Sequence, residues 1–215
     1  AQPALMTHSV AALRVLEPRL GTVHCAAGHS LGEFTAHVAA GTLSFAQALA
    51  AVRRRGELMY EAGLARPGTM AAVLGLDDTE VESVCAQVTA GVCVPANFNS
   101  AGQVVISGDA AGVAEGMELA REAGAKRVVE LQVSGAFHSP LMNVAQPGLA
   151  EHLDGLSFAD PQFAVYANVD AAPVRSGDTA RTRLIEQLTA PVRWAASVAA
   201  MVDQGVDQFI EVGPG

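Results

Sequence analysis

The chain has 215 residues, of which 50% are hydrophobic and 16% are charged, and its mean hydropathy is +0.28. A composition this apolar excludes an intrinsically disordered chain, and no stretch approaches the roughly 18 consecutive apolar residues of a membrane-spanning helix. The net charge of −9 argues against nucleic acid as the principal partner. Any anionic ligand must therefore be bound by locally placed arginines.

The three cysteines, Cys25, Cys85 and Cys93, form an odd-numbered set without a Cys-x-x-Cys motif. This pattern favours small buried thiols in a reducing compartment over a disulfide or a metal site. No apolar signal segment opens the chain. We therefore predict a cytoplasmic protein with no metal.

The first third of the chain predicts, in order, a helix, a strand and two helices, over residues 3–20, 22–27, 33–40 and 44–62. Pro3 suits the first turn of a helix. Ser44 is the predicted N-cap of the fourth element, which is expected to end near Gly63.

The middle of the chain predicts a β-α-β-β-α-β succession, over residues 70–74, 79–90, 92–98, 103–107, 110–123 and 126–133. This is the order of the ferredoxin-like split βαβ unit. We therefore predict a small ferredoxin-like subdomain over residues 68–133, inserted into a larger α/β subdomain.

The last third predicts a helix, a strand, two helices and a final strand, over residues 139–153, 163–168, 179–188, 194–204 and 208–212. Pro147 is expected to kink or break the first of these helices. Outside 68–133, the alternation of helices and strands favours a parallel sheet covered by helices. The chain is thus assigned to the α/β class, with residues 1–67 and 134–215 in the larger subdomain.

The strongest local motif is Gly28-His29-Ser30-Leu31-Gly32, between a predicted strand and a predicted helix. A G-x-S-x-G sequence in this setting is typical of a nucleophile elbow, in which glycines permit a tight turn that raises the serine hydroxyl above the sheet. Ser30 is the predicted nucleophile, and the N–H of Leu31 is a predicted oxyanion donor. The alternative is a structural turn serine.

A serine nucleophile needs a base, and His138 is the best placed of the six histidines. It lies in a loop of small residues just after the last strand of the predicted small subdomain. The other histidines are expected to be surface or boundary residues (His8, His37, His152), packed in a strand (His24) or in a supporting role (His29). The alternative for His138 is a structural histidine.

Several motifs along the chain resemble one family. They are Gly28-His29-Ser30-Leu31-Gly32-Glu33-Phe34, Arg55-Gly56, Asn97-Phe98-Asn99-Ser100, Gly102-Gln103-Val104-Val105-Ile106-Ser107-Gly108, Gly135-Ala136-Phe137-His138-Ser139, Glu186-Gln187-Leu188, Pro191-Val192-Arg193-Trp194 and Glu211-Val212-Gly213-Pro214-Gly215. The family is that of the malonyl-coenzyme A:acyl carrier protein transacylases and the related acyltransferase domains of fatty acid and polyketide synthases. Its fold is an α/β-hydrolase-like subdomain with a small ferredoxin-like one.

The resemblance implies that Ser30 accepts the acyl group and that His138 is its base. Arg55 resembles the arginine that grips the free carboxylate of the malonyl group, for which a guanidinium offers a bidentate match. At least one of its neighbours Arg53 and Arg54 is expected on a solvated helix face.

Four further residues take roles from the same resemblance. Gln187 resembles a glutamine that orients the histidine through its backbone carbonyl, although the sequence alone favours an exposed helix residue. Phe137 and Leu31 resemble their counterparts in malonyl-selective members, and a bulky Phe137 is expected to crowd an α-methyl group. Asn99 is assigned to substrate binding.

The implied reaction is ping-pong transfer of a malonyl group from malonyl-coenzyme A to the phosphopantetheine thiol of acyl carrier protein. The resemblance implies no bound cofactor and no nucleic-acid or membrane partner. Family members begin with a strand ending in Gly-Gln-Gly-Ser-Gln, and they continue with a helix past the position of Gly215. The resemblance therefore implies a fragment, which we expect to be unstable and nearly inactive alone.

Two other functions are kept as alternatives. A serine esterase or lipase needs an acidic residue between serine and histidine in chain order, and Asp77, Asp78 and Asp109 lie in that interval. A non-enzymatic docking module of a synthase is the second alternative. Whether the parent is a free-standing enzyme or a synthase domain stays open.

Overall fold

The computed structural model describes residues 1–214, which form an α/β structure with mixed sheets. Its elements in chain order are α1 (Gln2–Leu16), β1 (Cys25–Ala27), α2 (Leu31–Ala39), α3 (Phe45–Ala65), β2 (Thr69–Leu74), α4 (Asp78–Gln87), β3 (Cys93–Ser100), β4 (Gln103–Gly108), α5 (Ala110–Glu122), β5 (Arg127–Glu130), α6 (Gln146–Asp154), β6 (Ala164–Tyr166), β7 (Pro173–Val174), α7 (Gly177–Glu186) and α8 (Trp194–Asp203), with short 3-10 helices at Glu17–Arg19 and Pro140–Val144.

The described residues divide into two compact units. The first comprises Ala1–Glu57, Gly148–Ile185 and the residues from Ala196 onward, and the second comprises Leu58–Pro147 and Glu186–Ala195. The second unit thus contains the whole of 68–133 together with flanking segments. The subdomain boundaries derived from the sequence stay a prediction.

The first unit is built on a three-stranded sheet in the order β1-β6-β7. β1 and β6 run parallel, with Ala27 opposite Tyr166, as predicted. β7 runs antiparallel to β6, so the expectation of a wholly parallel sheet was wrong. The two-residue β7 is too short to show a hydrophobic period in the sequence. Parallel strands end at the same edge of a sheet, and the chain segments that follow β1 and β6 are therefore neighbours.

Small side chains let α2 pack closely on this sheet. Ala36 and Ala40 are buried against Val165 of β6, with Ala26 and Phe163 alongside. This packing holds α2 against β6.

The second unit contains an antiparallel sheet in the order β3-β4-β2-β5. Its elements follow in the predicted β-α-β-β-α-β order. α4 and α5 bury an apolar cluster against the sheet, which includes Val81, Val84, Phe98, Ile106 and Val113.

Buried thiols are confirmed for two of the three cysteines. Cys85 of α4 and Cys93 of β3 are buried in that cluster with their Sγ atoms 3.8 Å apart, and neither forms a disulfide. Cys25 in β1 is half-buried, and burial raises the pKa of its thiol.

The fourth predicted element ends slightly later than its predicted range of 44–62, because α3 continues past Gly63 to Ala65. The helix ends just before Arg66 and Pro67, where the residue that precedes a proline is pushed out of the helical region. Gly63 is required for a different reason. A Cβ at this position would lie 2.3 Å from the backbone oxygen of Ser134.

The break expected at Pro147 is present. The predicted helix over 139–153 divides into the 3-10 helix Pro140–Val144 and α6, and Pro147 lies in the first turn of α6, where its missing N–H costs nothing. The predicted strand over 208–212 is wrong. Residues 208–212 form no strand: no strand within residues 1–214 pairs with them, and the side chains of Phe209 and Ile210 stay about half exposed, at 50% and 54%. The motif ending at Gly215 extends outside the described residues.

Within residues 1–214, no helix combines the length and the apolar character needed to cross a bilayer. The cytoplasmic location stays a prediction.

His37 of α2 was expected near the surface, but it is fully buried and its Nδ1 lies 3.2 Å from the Thr42 hydroxyl. Burial lowers the pKa of its imidazole from 6.5 to about 4. Between these two values the unfolded chain binds a proton that the folded protein does not. The stabilisation from neutral His37 is therefore complete above the unfolded pKa, and it is lost as the pH falls toward the folded value.

We expect His37→Gln to flatten the pH dependence of stability. Between about pH 7.5 and about pH 5, the wild-type free energy of unfolding should fall by about 2 kcal/mol more than that of the variant. Chemical denaturation at the two pH values measures this difference. His8→Gln, at an exposed position in α1, is the matched control and should follow the wild type. Equal slopes for wild type and His37→Gln would contradict the prediction.

Candidate active site

Ser30 occupies a strained turn between β1 and α2. Its backbone has φ 51° and ψ −105°, a conformation that costs a serine on the order of 1–3 kcal/mol and that occurs mainly at functional sites. The two motif glycines are not equivalent. A Cβ at Gly28 would lie 2.0 Å from the backbone of Gly32, whereas a Cβ at Gly32 would meet open space. The close approach at Gly28 makes the tight turn possible.

The turn places two hydrogen-bonding groups of Ser30 in defined environments. Its hydroxyl accepts a hydrogen bond from the Arg55 guanidinium at 2.9 Å. Its backbone N–H donates to the side-chain oxygen of Asn168 at 2.7 Å. Leu31, half-buried, is the first residue of α2, where N–H groups have no partner inside the helix. The Arg55 guanidinium and the N–H of Leu31 are thus the donors beside the serine that suit negative charge.

Only one arginine of the Arg53–Arg55 run points inward. Successive helical residues are rotated by about 100°, so three in a row cannot share a face. Arg53 and Arg54 form exposed or half-exposed ion pairs with Glu57, as expected for a solvated face. Arg55 is only 1% exposed, and its guanidinium also donates to the Gln2 side chain at 2.8 Å.

Burial shapes the charge of Arg55. It lowers the pKa of the guanidinium to about 10, while the Glu33 carboxylate opposes this shift. The side chain therefore remains a cation at neutral pH, and its carbon Cζ lies 5.8 Å from the ring centre of Phe34. A buried cation next to a serine hydroxyl is suited to pairing with a carboxylate.

His138, in the second unit, also has an unusual backbone, with φ 56°. It is 4% exposed, and its Nδ1 lies 3.0 Å from the carbonyl oxygen of Gln187 and 3.2 Å from that of Ala190. Carbonyl oxygens only accept hydrogen bonds, so Nδ1 carries a proton. Nε2 is then the ring nitrogen that can take up another proton, as a general base requires.

Gln187 is fully buried, although the sequence alone favoured an exposed helix position. α7 ends at Glu186, so the Gln187 carbonyl is not used inside the helix and can accept from His138. The predicted helix over 179–188 has the length of α7 but lies two residues too far along the chain, because α7 spans Gly177–Glu186. The orienting role of Gln187 stays a prediction.

The other assigned substrate residues lie in different settings. Phe137 is half-buried in the second unit, where its ring packs with Met70, Ala96 and Val105. Asn99 is half-buried in β3. Their substrate roles are untested.

Of two other histidines, His24 differs from expectation and His29 agrees with it. His24 was expected to be packed in a strand, but it is exposed and precedes β1, which begins at Cys25. His29 is exposed beside the elbow, consistent with a side chain pointing away from the turn.

Two of the three acidic residues named for the esterase alternative cap helices, and the third lies in the first turn of a helix. Asp77 caps α4, accepting a hydrogen bond from the Glu80 N–H at 2.8 Å. Asp109 caps α5, accepting from the N–H groups of Gly112 and Val92 at 2.8 and 2.7 Å. These backbone hydrogen bonds lower the pKa of both carboxyl groups. Asp78 lies in the first turn of α4.

Comparison with known proteins gives consistent matches over the whole chain. The model of the acyl transferase domain family matches residues 1–215. A malonyl CoA-acyl carrier protein transacylase from Bacillus subtilis (strain 168) is 46% identical over 217 residues, covering 100% of this chain and 68% of that protein. A protein of the same name from Staphylococcus aureus is 42% identical over 219 residues, covering 100% of this chain and 70% of its own.

Solved structures also match the whole chain. An acyl carrier protein S-malonyltransferase from Vibrio cholerae superposes with a TM-score of 0.96 at 44% identity, covering 100% of this chain and 71% of that one. A malonyl-transacylase in complex with its type II polyketide synthase acyl carrier protein gives a TM-score of 0.94 at 42% identity, covering 100% and 70%. With a family model matched from end to end and relatives above 40% identity, the chain belongs to the acyl transferase domain family.

Proposed function

We propose that this protein transfers a malonyl group from malonyl-coenzyme A to the phosphopantetheine thiol of acyl carrier protein, and thus supplies extender units for fatty acid or polyketide synthesis. The observation that carries the proposal is the Arg55 guanidinium, buried and 2.9 Å from the Ser30 hydroxyl. It provides a fixed cation for the free carboxylate of a malonyl group beside the nucleophile. The names of the relatives, and the acyl carrier protein bound to one of them, support the same reaction.

In the first half-reaction, the Ser30 oxygen attacks the thioester carbonyl while His138 takes the hydroxyl proton. The Leu31 N–H, at the start of α2, stabilises the oxyanion. The carbon–sulfur bond then breaks, His138 returns the proton to the coenzyme A sulfur, and a malonyl ester remains on Ser30. Gln187 orients His138 through its carbonyl, which is 3.0 Å from Nδ1.

In the second half-reaction, the phosphopantetheine thiol of acyl carrier protein attacks the malonyl ester. His138 accepts the thiol proton and delivers it to the departing Ser30 oxygen, which restores the free enzyme. We assign Phe137 and Asn99 to the substrate site, with Phe137 restricting an α-methyl group on the incoming acyl chain. The protein supplies all of these groups, with no bound cofactor.

The fold can be described more finely in the same terms. We propose an α/β-hydrolase-like subdomain, residues 1–67 and 134–215, and a ferredoxin-like subdomain, residues 68–133. The β3-β4-β2-β5 sheet with two helices supports the second assignment. The strand–turn–helix around Ser30 supports the first.

A direct assay tests the reaction. Incubation of the protein at its natural length, which contains residues 1–215, with malonyl-coenzyme A and holo acyl carrier protein should yield the malonylated carrier, detected as intact mass, together with free coenzyme A. Release of malonate without a thiol acceptor, at a rate equal to transfer, would favour the esterase alternative. Absence of any acylated species would favour the docking-module alternative.

Arg55→Ala is expected to change the choice of acyl group. Loss of a charge-assisted pair should slow malonyl transfer by roughly 10–150-fold, while acetyl transfer is kept or increased. Competition between malonyl- and acetyl-coenzyme A, with carrier acylation as the readout, measures the ratio. Arg54→Ala, on the solvated face of the same helix, is the matched control and should leave it unchanged. An unaltered ratio in Arg55→Ala would show that the guanidinium does not hold the carboxylate.

A further inference from the structure

Asn168 is a fully buried residue that the sequence motifs did not single out. It follows β6 by two residues, and Ser30 follows β1 by three. Because β1 and β6 are parallel, with Ala27 opposite Tyr166, both residues leave the same edge of the sheet. A residue 138 positions away in sequence is thereby brought against the elbow.

The side chain of Asn168 bridges both ends of the tight turn. Its carboxamide oxygen accepts from the Ser30 N–H at 2.7 Å, and its amide nitrogen donates to the Gly28 carbonyl at 2.9 Å. The partners define the orientation of the amide, because one is a donor and the other an acceptor. The backbone N–H of Asn168 donates to the Glu33 carboxylate at 3.0 Å, which ties it to the first turn of α2.

The segment that carries Asn168 is itself held in place. Ala167 and Ala172 are joined by a backbone hydrogen bond at 3.0 Å, and the Ala171 N–H donates to the Ala167 carbonyl at 3.0 Å. Asp170 pairs with Arg183 of α7 at 2.8 Å. These contacts hold in place the backbone segment that carries the Asn168 carboxamide.

The two hydrogen bonds of the Asn168 carboxamide involve the backbone groups that flank the strained conformation of Ser30. A serine does not favour φ near 51°, so the turn would relax if nothing selected it. Asparagine can hold the two backbone groups that flank the turn at once, since it offers a donor and an acceptor on one planar group. Relaxation would rotate the serine hydroxyl and the Leu31 N–H away from their present directions.

We propose that Asn168 is a positioning residue, whose carboxamide holds the Ser30 turn in the conformation that aims the hydroxyl at the acyl carbonyl. This inference rests on the proposed function of Ser30 as the acyl acceptor. It assigns a catalytic effect to a side chain through its hydrogen bonds to backbone atoms of the elbow.

The test is single-turnover acylation of Asn168→Ala by excess malonyl-coenzyme A, followed by intact mass. Misorientation of the serine should lower the first-order rate constant about 10–100-fold, since only a minor fraction of the enzyme then holds the competent turn. The final extent of acylation should stay near that of the wild type. The malonyl-coenzyme A concentration giving half the maximal rate constant should also be unchanged. A merely structural loss would instead reduce the final extent, because unfolded protein does not react.

Thr42→Val is the matched control. It removes another buried hydrogen bond of the first unit, between Thr42 and His37, without touching the elbow, and its rate constant should equal that of the wild type. If Asn168→Ala does not fold, Asn168→Asp keeps the size and the acceptor for Ser30 but loses the donor to Gly28, and it should show the same slower rate constant.

An unchanged rate constant in the folded Asn168 variant, or an equal fall in Thr42→Val, would overturn the inference. Failure of the wild type to become acylated would instead reject the proposed function. The two failures are therefore distinguishable.

Discussion

Ser30→Ala is expected to abolish the covalent malonyl adduct. The Ser30 hydroxyl is the one raised on the strained turn beside a buried cation, and alanine removes the attacking oxygen while leaving the backbone free to keep its conformation. Transfer to acyl carrier protein should fall on the order of 10⁶-fold, the scale seen when a covalent nucleophile is removed. Intact mass after incubation with malonyl-coenzyme A measures the adduct directly.

Ser83→Ala is the control for Ser30→Ala, because Ser83 is an exposed hydroxyl on α4. It should form the adduct to the wild-type extent. Full acylation of the Ser30→Ala protein would reject Ser30 as the acyl acceptor. It would also remove the ground for the roles proposed for Arg55 and Asn168.

His138→Ala is expected to slow adduct formation by about 10²–10⁴-fold, the usual contribution of a positioned general base. The buried ring has Nδ1 committed to two backbone carbonyls, which leaves Nε2 as the proton acceptor. The variant should still reach full acylation at long times, because Ser30 and Arg55 are unchanged. Rapid-quench mass measurements give the rate constant.

His8→Ala, at an exposed position on α1, provides the comparison and should react at the wild-type rate. A His138→Ala rate constant within error of the wild type would mean that another group deprotonates the serine. His29, next to the nucleophile in sequence, would then be the first residue to examine.

The nucleophile elbow was accessible from sequence because its determinants are local. A short apolar run, a glycine at the position of closest backbone approach and an amphipathic helix all lie within a few residues of Ser30. The same holds for the β-α-β-β-α-β order, which follows from alternating hydrophobic patterns and turn residues. The predicted helix cap Ser44 is likewise local, and it accepts a hydrogen bond from the Gln47 N–H at 3.3 Å.

Other features depended on contacts between distant segments. At least one of Arg53 and Arg54 was expected on a solvated helix face, and the resemblance alone selected Arg55 as the arginine that binds the carboxylate. Its burial follows from how α3 packs, which no local pattern reports. The burial of His37 and the close backbone approach at Gly63 were missed for the same reason. Each depends on a residue outside its own helix, Thr42 for His37 and Ser134 for Gly63.

The sequence by itself determined the family, the order of the elements and the position of the candidate nucleophile, because these depend on neighbouring residues and on short motifs. The tertiary structure decided which polar groups are buried and what they bind. Asn168 shows why: its partners Gly28 and Ser30 lie 140 and 138 residues away, and they meet it only because β1 and β6 pair in parallel with one particular register. Strand register is set by packing over the whole sheet, and a buried hydrogen bond between its ends exists only once that register is formed.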